Sequence, residues 1–286
     1  MLRILSTYLF VNRKLTPELL GDIARSGAGA IELFCARNHF DYRSADSVRE
    51  LAGALRDYNL TLHAVHAPVE RDSGPTRQSG VPLSVSDPER GRRLDAVDEI
   101  RRALDLAEQL PFRFLVLHLG SSRDDADPRR FEAAFSSLEH LRLFAKQSSV
   151  TIAIENTPGE LATPANLRQF ITDTRLTDLR LCFDIGHAHL GDGVLPSFEI
   201  MRDLVVTAHI HDNHGFKDEH LPPYGGAIEW DAALAALSAN STPLVLELRE
   251  QPAYAEPAPT AVALEAARTA FDRLESALDS APPRTA

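Results

Sequence analysis

His, Asp and Glu recur in this sequence at the ends of short apolar runs, where they could gather round a divalent cation. Side chains alternate across a strand, so counting back in twos from each such residue identifies the face it shares. The third run then places Leu62, Ala64 and His66 together, the fourth Phe114, Val116 and His118, and the fifth Thr151, Ala153 and Glu155. The sixth gives Cys182 and Asp184, the seventh Val205, Thr207 and His209, and the eighth Pro243, Val245 and Glu247. Imidazoles and carboxylates are costly to bury unless paired or bound to cations, so their convergence at one rim predicts a metal centre. A mixed nitrogen and oxygen set suits Zn, Mn, Fe or Co rather than Ca, which prefers all-oxygen sites.

Further candidates lie just beyond these runs. His187 follows Asp184 by three in "DIGH", and "DEH" adds Asp218 and His220. His211 shares the expected face of His209; either could be the ligand, and His209 is favoured. His63 is expected to point towards the helices, while His39, His189 and His214 fall in loops outside the register. A lone histidine at a strand end is more often a hydrogen-bonded structural residue; joint placement is what lifts this group. Trp230 in "AIEW" and Phe34 in "IELF" are candidate apolar walls for a stacked sugar, with ordinary core packing as the stronger alternative. Lys217, Arg71 and Arg77 could hold an anionic substrate or be solvated surface charge. Asp212 and Asn213 are expected to brace a turn or contact substrate.

Positioning such a set requires strands that share one open end. Eight β-rich runs supply them: "RILSTYLF", "AIELFC", "LTLHAVHAP", "RFLVLHLG", "VTIAIENT", "LRLCFDIGH", "VVTAHIHDN" and "PLVLELRE". They alternate with segments of helical period, the pattern of an α/β chain whose eight βα units close a single (β/α)8 barrel. An open doubly wound sheet is the competing fold, but "LFVNRKLTPE" after the first run lacks the glycines of a dinucleotide fingerprint. Thr-Pro in "TPELLGDIA" and "TPANLRQF", and Asp87-Pro88 in "DPERGRR", read as helix starts.

The barrel is expected over residues 1–278, with 279–286 a disordered tail and the Pro- and Gly-rich stretch 67–86 a lid over the mouth. A net charge of -11 argues against a nucleic-acid partner. Two cysteines, Cys35 and Cys182, each inside an apolar run, and an N-terminus too short in apolar length to span a bilayer predict a cytoplasmic protein without a membrane partner. Nothing in the sequence indicates the oligomeric state.

Taken in order, "HAVHAP", "VLHLGS", "IAIEN", "CFDIGHAHL", "AHIHDN", "KDEHLPPYGGAIEW" and "LVLELRE" resemble the xylose-isomerase-like TIM-barrel superfamily over nearly the whole chain. That superfamily includes sugar phosphate isomerases and epimerases, ketose 3-epimerases, inosose dehydratases and the endonuclease IV group. In the epimerase branch the resemblance implies one ion held by Glu155, Asp184, His209 and Glu247, with Glu155 and Glu247 as catalytic bases and His187 reaching a small sugar or sugar phosphate. In the endonuclease IV branch it implies up to three ions, drawing in His66, His118, His187, Asp218 and His220. "DIGHAHL" departs from the Asp-Thr-Cys-His motif of those nucleases, and "HAPVERDSG" lacks an apolar loop to enter a duplex, so the carbohydrate branch is the expectation. A dehydratase, a lyase or a non-catalytic metal-binding barrel stands behind it, and in the isomerase reading His66 and His118 would contact substrate.

Overall fold

The computed structural model describes residues 1–71, 80–121, 123–250 and 259–280. Its barrel strands are β1 (Ile4–Ser6), β2 (Ala30–Phe34), β3 (Thr61–His66), β4 (Phe114–Leu117), β5 (Thr151–Glu155), β6 (Arg180–Asp184), β7 (Val205–Ile210) and β8 (Leu244–Leu246). Each pairs in parallel with its sequence neighbours, and β1 pairs with β8 to close the ring. The expected (β/α)8 barrel is therefore the fold, and closure leaves it no edge.

The surrounding helices are α1 (Pro17–Arg25), α2 (Ala45–Asp57), α3 (Arg90–Leu104), α4 (Pro128–Gln147), α5 (Pro164–Thr174), α6 (Ile185–Leu190), α7 (Val194–Met201), α8 (Trp230–Ala239) and α9 (Thr260–Ser280). Thr16 and Thr163 cap α1 and α5 through their side chains, with Pro next in line as expected. At α3 the cap moves: Glu89 accepts from the backbone N–H groups of Gly91 and Arg92, while Asp87 accepts from that of Glu89 and so shapes the approach rather than the first turn. Helix α9 runs two residues beyond the expected boundary at 278; the tail positions 281–286 lie outside the described residues. So do 72–79, including Arg77, in the middle of the expected lid; its two ends, Glu70–Arg71 and Val81–Pro82, pair as a short antiparallel ladder.

Outward-facing Leu33, Leu115, Ile154, Leu181, Phe183 and Leu246 pack with the helices in the main core. Inward-facing residues fill the barrel in smaller clusters, Ile4 with Ala30 and Val245, and Val116 with Ala153 and Cys182. Strand parity fails at two places, both β-bulges. Ile31 pairs with Leu62 but Glu32 pairs with Ala64, which leaves His63 extra; likewise Leu181 pairs with Val205 but Cys182 with Thr207, which leaves Val206 extra. An extra residue shifts the alternation by one step. Leu62 and Val205 accordingly join the helix-facing core rather than the interior. His63, expected to face the helices, turns inward: its Nε2 lies 3.2 Å from Thr207 Oγ1, and its ring meets the edge of Phe114. Beyond each bulge the count recovers, so the strand ends face inward as expected.

Among the described residues no helix is long and apolar enough to cross a membrane. Both cysteines are free and buried, and burial pushes their thiols above their usual range.

Candidate metal centre

At the carboxyl end of the barrel, Glu155 closes β5 and Asp184 closes β6, while Glu247 follows β8 by one residue. His209 stands inside β7. Its Nδ1 lies 3.2 Å from Glu155 Oε2, 3.4 Å from Glu247 Oε2 and 3.8 Å from Asp184 Oδ2. Four side chains thus converge on one point, and all four residues are buried.

The same Glu155 faces further imidazoles. His66 Nε2 and His118 Nε2 each lie 3.3 Å from its Oε2, and His187 Nδ1 lies 3.2 Å from its Oε1. Outside this cluster, Asp218 Oδ2 lies 3.0 Å from His220 Nε2 and 3.3 Å from His187 Nε2. The donor atoms of His187, His211, Asp218 and His220 lie within 4.8 Å of one another, as do those of His66, His118 and Glu155. All nine ligand candidates named from the sequence are therefore gathered at one rim, with His211 beside them.

Three of these imidazoles are aimed by the main chain. His66 Nδ1 is 2.8 Å from the Ala67 carbonyl, His187 Nδ1 2.9 Å from that of Asn156, and His220 Nδ1 2.9 Å from that of Glu247. A carbonyl only accepts, so each Nδ1 carries the proton and each neutral ring turns the lone pair of Nε2 towards a carboxylate. A lone pair facing a carboxylate oxygen is repulsive unless a proton or a cation lies between them. Among the described residues, His118 Nε2, Glu155 Oε2, His209 Nδ1, His211 Nδ1 and Asp218 Oδ1 are buried at this rim without a hydrogen-bond partner. Unsatisfied buried donors and acceptors are rare, and their convergence fits a cation bound among them.

The electrostatics run the same way. Burial opposes ionisation of Glu155, but the imidazoles of His118 and His209 outweigh it and hold the carboxyl well below its usual range. Burial likewise disfavours charge on His187 and His209, yet the surrounding carboxylates raise both well above an ordinary histidine. Glu247 is the exception: burial, reinforced by Glu155 and Glu32, pushes it up to about 7. Without a cation the site must therefore hold protons among its histidines and Glu247.

Neighbouring residues fix the ligands. The side-chain amide of Asn156 donates to the Asp184 carbonyl at 2.9 Å and its oxygen accepts from the Asp184 N–H at 2.8 Å. Asp212 braces the loop after β7, accepting from Trp230 Nε1 at 2.7 Å, Asn213 N at 2.8 Å and Ile228 N at 3.2 Å. Trp230 itself is 2% exposed within the main core. It is a partner of Asp212, which corrects its expected place in the apolar wall. Phe34 does reach the mouth, stacked on His66 at 4.7 Å between centroids and flanked by Tyr8 at 4.9 Å; Tyr8 also meets His220 at 5.0 Å. Lys217 is exposed on the loop beside Asp218, and Arg71 pairs with Asp95.

Three residues at or just beneath this rim are missed or underweighted by the sequence. Glu32 on β2 is fully buried, with Oε2 3.0 Å from His209 Nε2; the count in twos from Phe34 would have found it. His211 turns its Nε2 to Asp184 Oδ2 at 3.0 Å and stacks on His220 at 4.0 Å. Gly186 lies against that ring, where a Cβ would overlap it. Tyr8, in the turn after β1, had no signal beyond its aromatic type.

Residues 20–272 match the family described as xylose isomerase-like TIM barrel, and the chain belongs to that family. It is 31% identical over 170 residues to the uncharacterized protein y4fM of Sinorhizobium fredii, covering 54% of this chain and 53% of that one. The chain thus spans about half the length of that relative. It is 29% identical over 242 residues to the uncharacterized protein MJ1311 of Methanocaldococcus jannaschii, covering 81% and 78% respectively. Among solved structures it is similar to a D-tagatose 3-epimerase-like protein, with TM-score 0.78, 22% identity and coverage of 98% and 97%. It is also similar to the IOLI protein with a bound zinc atom, with TM-score 0.76, 18% identity and coverage of 96% and 98%. At these identities the two structures speak for the fold alone.

Proposed function

We propose that this protein is a divalent-metal-dependent isomerase or epimerase of a small sugar or sugar phosphate, working by proton abstraction next to a carbonyl. The observation that carries the reading is the convergence of Glu155, Asp184 and Glu247 on His209 Nδ1 within 3.2–3.8 Å. Zn, Mn, Fe or Co would suit that donor set. Bound there, the cation would supply Lewis acidity to a carbonyl and its neighbouring hydroxyl, which makes the adjacent C–H more acidic.

The chain's own groups would do the rest. Glu155 and Glu247 are the candidate bases, approaching from β5 and β8. If one removes the proton and the other returns it to the opposite face, a carbon is inverted; if a single base returns it to the next carbon, the carbonyl moves. In the cation-free site burial pushes the Glu247 carboxyl up to about 7, and a bound cation would pull it down again towards the ionised form that a base requires. His187 would hold a substrate oxygen, and Phe34 with Tyr8 would offer the face on which a sugar ring packs. The same fold carries a D-tagatose 3-epimerase-like protein in one solved structure and a bound zinc atom in another, and the reading borrows its reaction and its metal from these by analogy.

One observation favours a second reading. His66 and His118 face Glu155 on one side, and His187, Asp218 and His220 cluster on the other, so the rim has donors for more than one ion. A multinuclear centre suits hydrolysis of a phosphodiester, where ions stabilise both the attacking and the leaving oxygen.

Two measurements separate the readings. Elemental analysis of freshly purified protein should find one ion per chain for the first reading and up to three for the second. Incubation with candidate ketoses in deuterium oxide should place label on the carbon that loses its proton, with Glu247→Gln retaining metal and losing exchange. Three tightly held ions with no exchange into any sugar would sink the first reading.

A further inference from the structure

Glu32 lies beneath the rim and belongs to none of the ligand groups named from the sequence, yet its carboxylate is fully buried. A buried carboxylate is expensive unless it is fully partnered, so its partners indicate its purpose. They are two. Ser6 Oγ donates to Oε1 at 3.1 Å, from the residue directly opposite on β1. His209 Nε2 approaches Oε2 at 3.0 Å, with both side chains closed to solvent.

His209 meets carboxylates on both sides, Glu32 at Nε2 and Glu155, Asp184 and Glu247 around Nδ1. A neutral imidazole has one N–H, and a carboxylate can only accept. With a cation among the three rim carboxylates, Nδ1 would give it the lone pair and the one proton would sit on Nε2 against Glu32. His209 is aimed in the opposite sense to His66, His187 and His220, whose Nδ1 atoms face backbone carbonyls. Among the described residues no main-chain carbonyl meets its ring; the Glu32 side chain does that work instead.

We propose that Glu32, oriented by Ser6, is a positioning residue that holds His209 as an Nδ1 donor to a cation and raises its basicity. The proposal rests on the metal reading above. Carboxylate–histidine–metal relays of this kind commonly contribute 10–100-fold to metal affinity. Ser6 contributes through Glu32, so its effect is the smaller of the two.

The test uses the full-length protein, stripped with a chelator and titrated with Zn2+ or Co2+ against a competing chromophoric chelator. Glu32→Gln keeps the shape of the side chain and removes its charge. It should weaken binding by about 10–100-fold and shift the visible absorption bands of the Co2+ form, which report the donor field. Ser6→Ala should shift both in the same direction by less, and serves alone if Glu32→Gln does not fold. In a His209→Gln background Glu32→Gln should add little, because its partner is gone. A structural role would lower the melting temperature of the stripped protein and leave affinity and spectrum unchanged. Wild-type binding matched by Glu32→Gln in affinity and spectrum overturns this proposal alone; failure of the wild type to bind either ion overturns the metal reading, and this proposal with it.

Discussion

Asp212 offers a test of how the loop carrying Asp218 and His220 is held. Its carboxylate satisfies Trp230 Nε1, Ile228 N and Asn213 N, and all of these groups lie in buried surroundings. Asp212→Ala orphans three donors together. Leaving one buried donor unsatisfied costs about 1–3 kcal/mol, and partial relaxation of the loop brings the sum to about 3–5 kcal/mol. With unfolding entropy near 2.1 cal/mol/K per residue, a chain of this length loses about 0.6 kcal/mol for each degree, so the melting temperature should fall by about 5–8 °C. Asp212→Asn separates the contributions. Its remaining oxygen still accepts from the two backbone N–H groups, while its amide meets the indole donor to donor, so one bond is lost and the fall should be about 2–5 °C. Both are read by calorimetry in the presence of chelator, which removes any contribution from bound metal. Equal shifts for the two variants, or a shift below about 1 °C for Asp212→Ala, would refute the reasoning.

Metal should stabilise the fold, and by more as pH rises. At 100 to 1,000 times the dissociation constant the gain is about 2.7–4.1 kcal/mol, or roughly 4–7 °C here. The folded, stripped protein holds a proton on Glu247 up to about pH 7 and holds protons on His187 and His209 above their usual range. Glu247 therefore holds more proton than in the unfolded chain from the ordinary carboxyl range to about 7, and His187 and His209 do so from the ordinary histidine range upward; the stability these three contribute is lost as pH climbs through those windows, while His63 and His118, lowered by burial, act in the opposite sense below the histidine range. The gap between loaded and stripped melting curves should widen from pH 5 to 8; a constant gap would count against it. Glu155→Gln should reduce metal content more than Glu247→Gln, because Glu155 faces His66, His118, His187 and His209, and elemental analysis reads the difference. Gly186→Ala should cost about 1–3 kcal/mol, since the His211 ring it would meet is held by Asp184 and His220; chemical denaturation checks it.

The barrel was legible because eight β-rich runs alternate with capped helices, and the rim because alternation survives to each strand end. What alternation could not carry was the pair of bulges. His63 and Val206 are ordinary residues for a strand, and nothing in their types marks the positions where two residues face one. The inward turn of His63 was lost for that reason. Glu32 was lost for a different one. It sits mid-run in "AIELF", away from the strand end where ligands were sought, although the same count places it inside. The aromatic type of Trp230 is compatible with either the mouth or the core, and its bond to Asp212 within the main core realises the second, the stronger alternative. The division of the donors into groups depends on side-chain reach across the mouth, which sequence spacing does not encode.

The backbone carbonyls of Ala67, Asn156 and Glu247 each take an imidazole proton at this rim. A carbonyl is present whatever residue bears it, so at Ala67 and Asn156 the aim of the ring does not depend on the identity of the side chain next to it. The side chains beside these carbonyls can therefore change with little effect on where the nitrogens of His66 and His187 point, whereas His220 depends on the loop that carries it. Strand ends anchor His66, Glu155, Asp184, His209 and Glu247, whereas Asp218 and His220 arrive on the loop after β7, so that loop belongs to the cluster and the others are the ones free to vary. An engineer reshaping the mouth would accordingly vary loops other than the one bearing Asp218 and His220, and leave the strand-end peptide units alone.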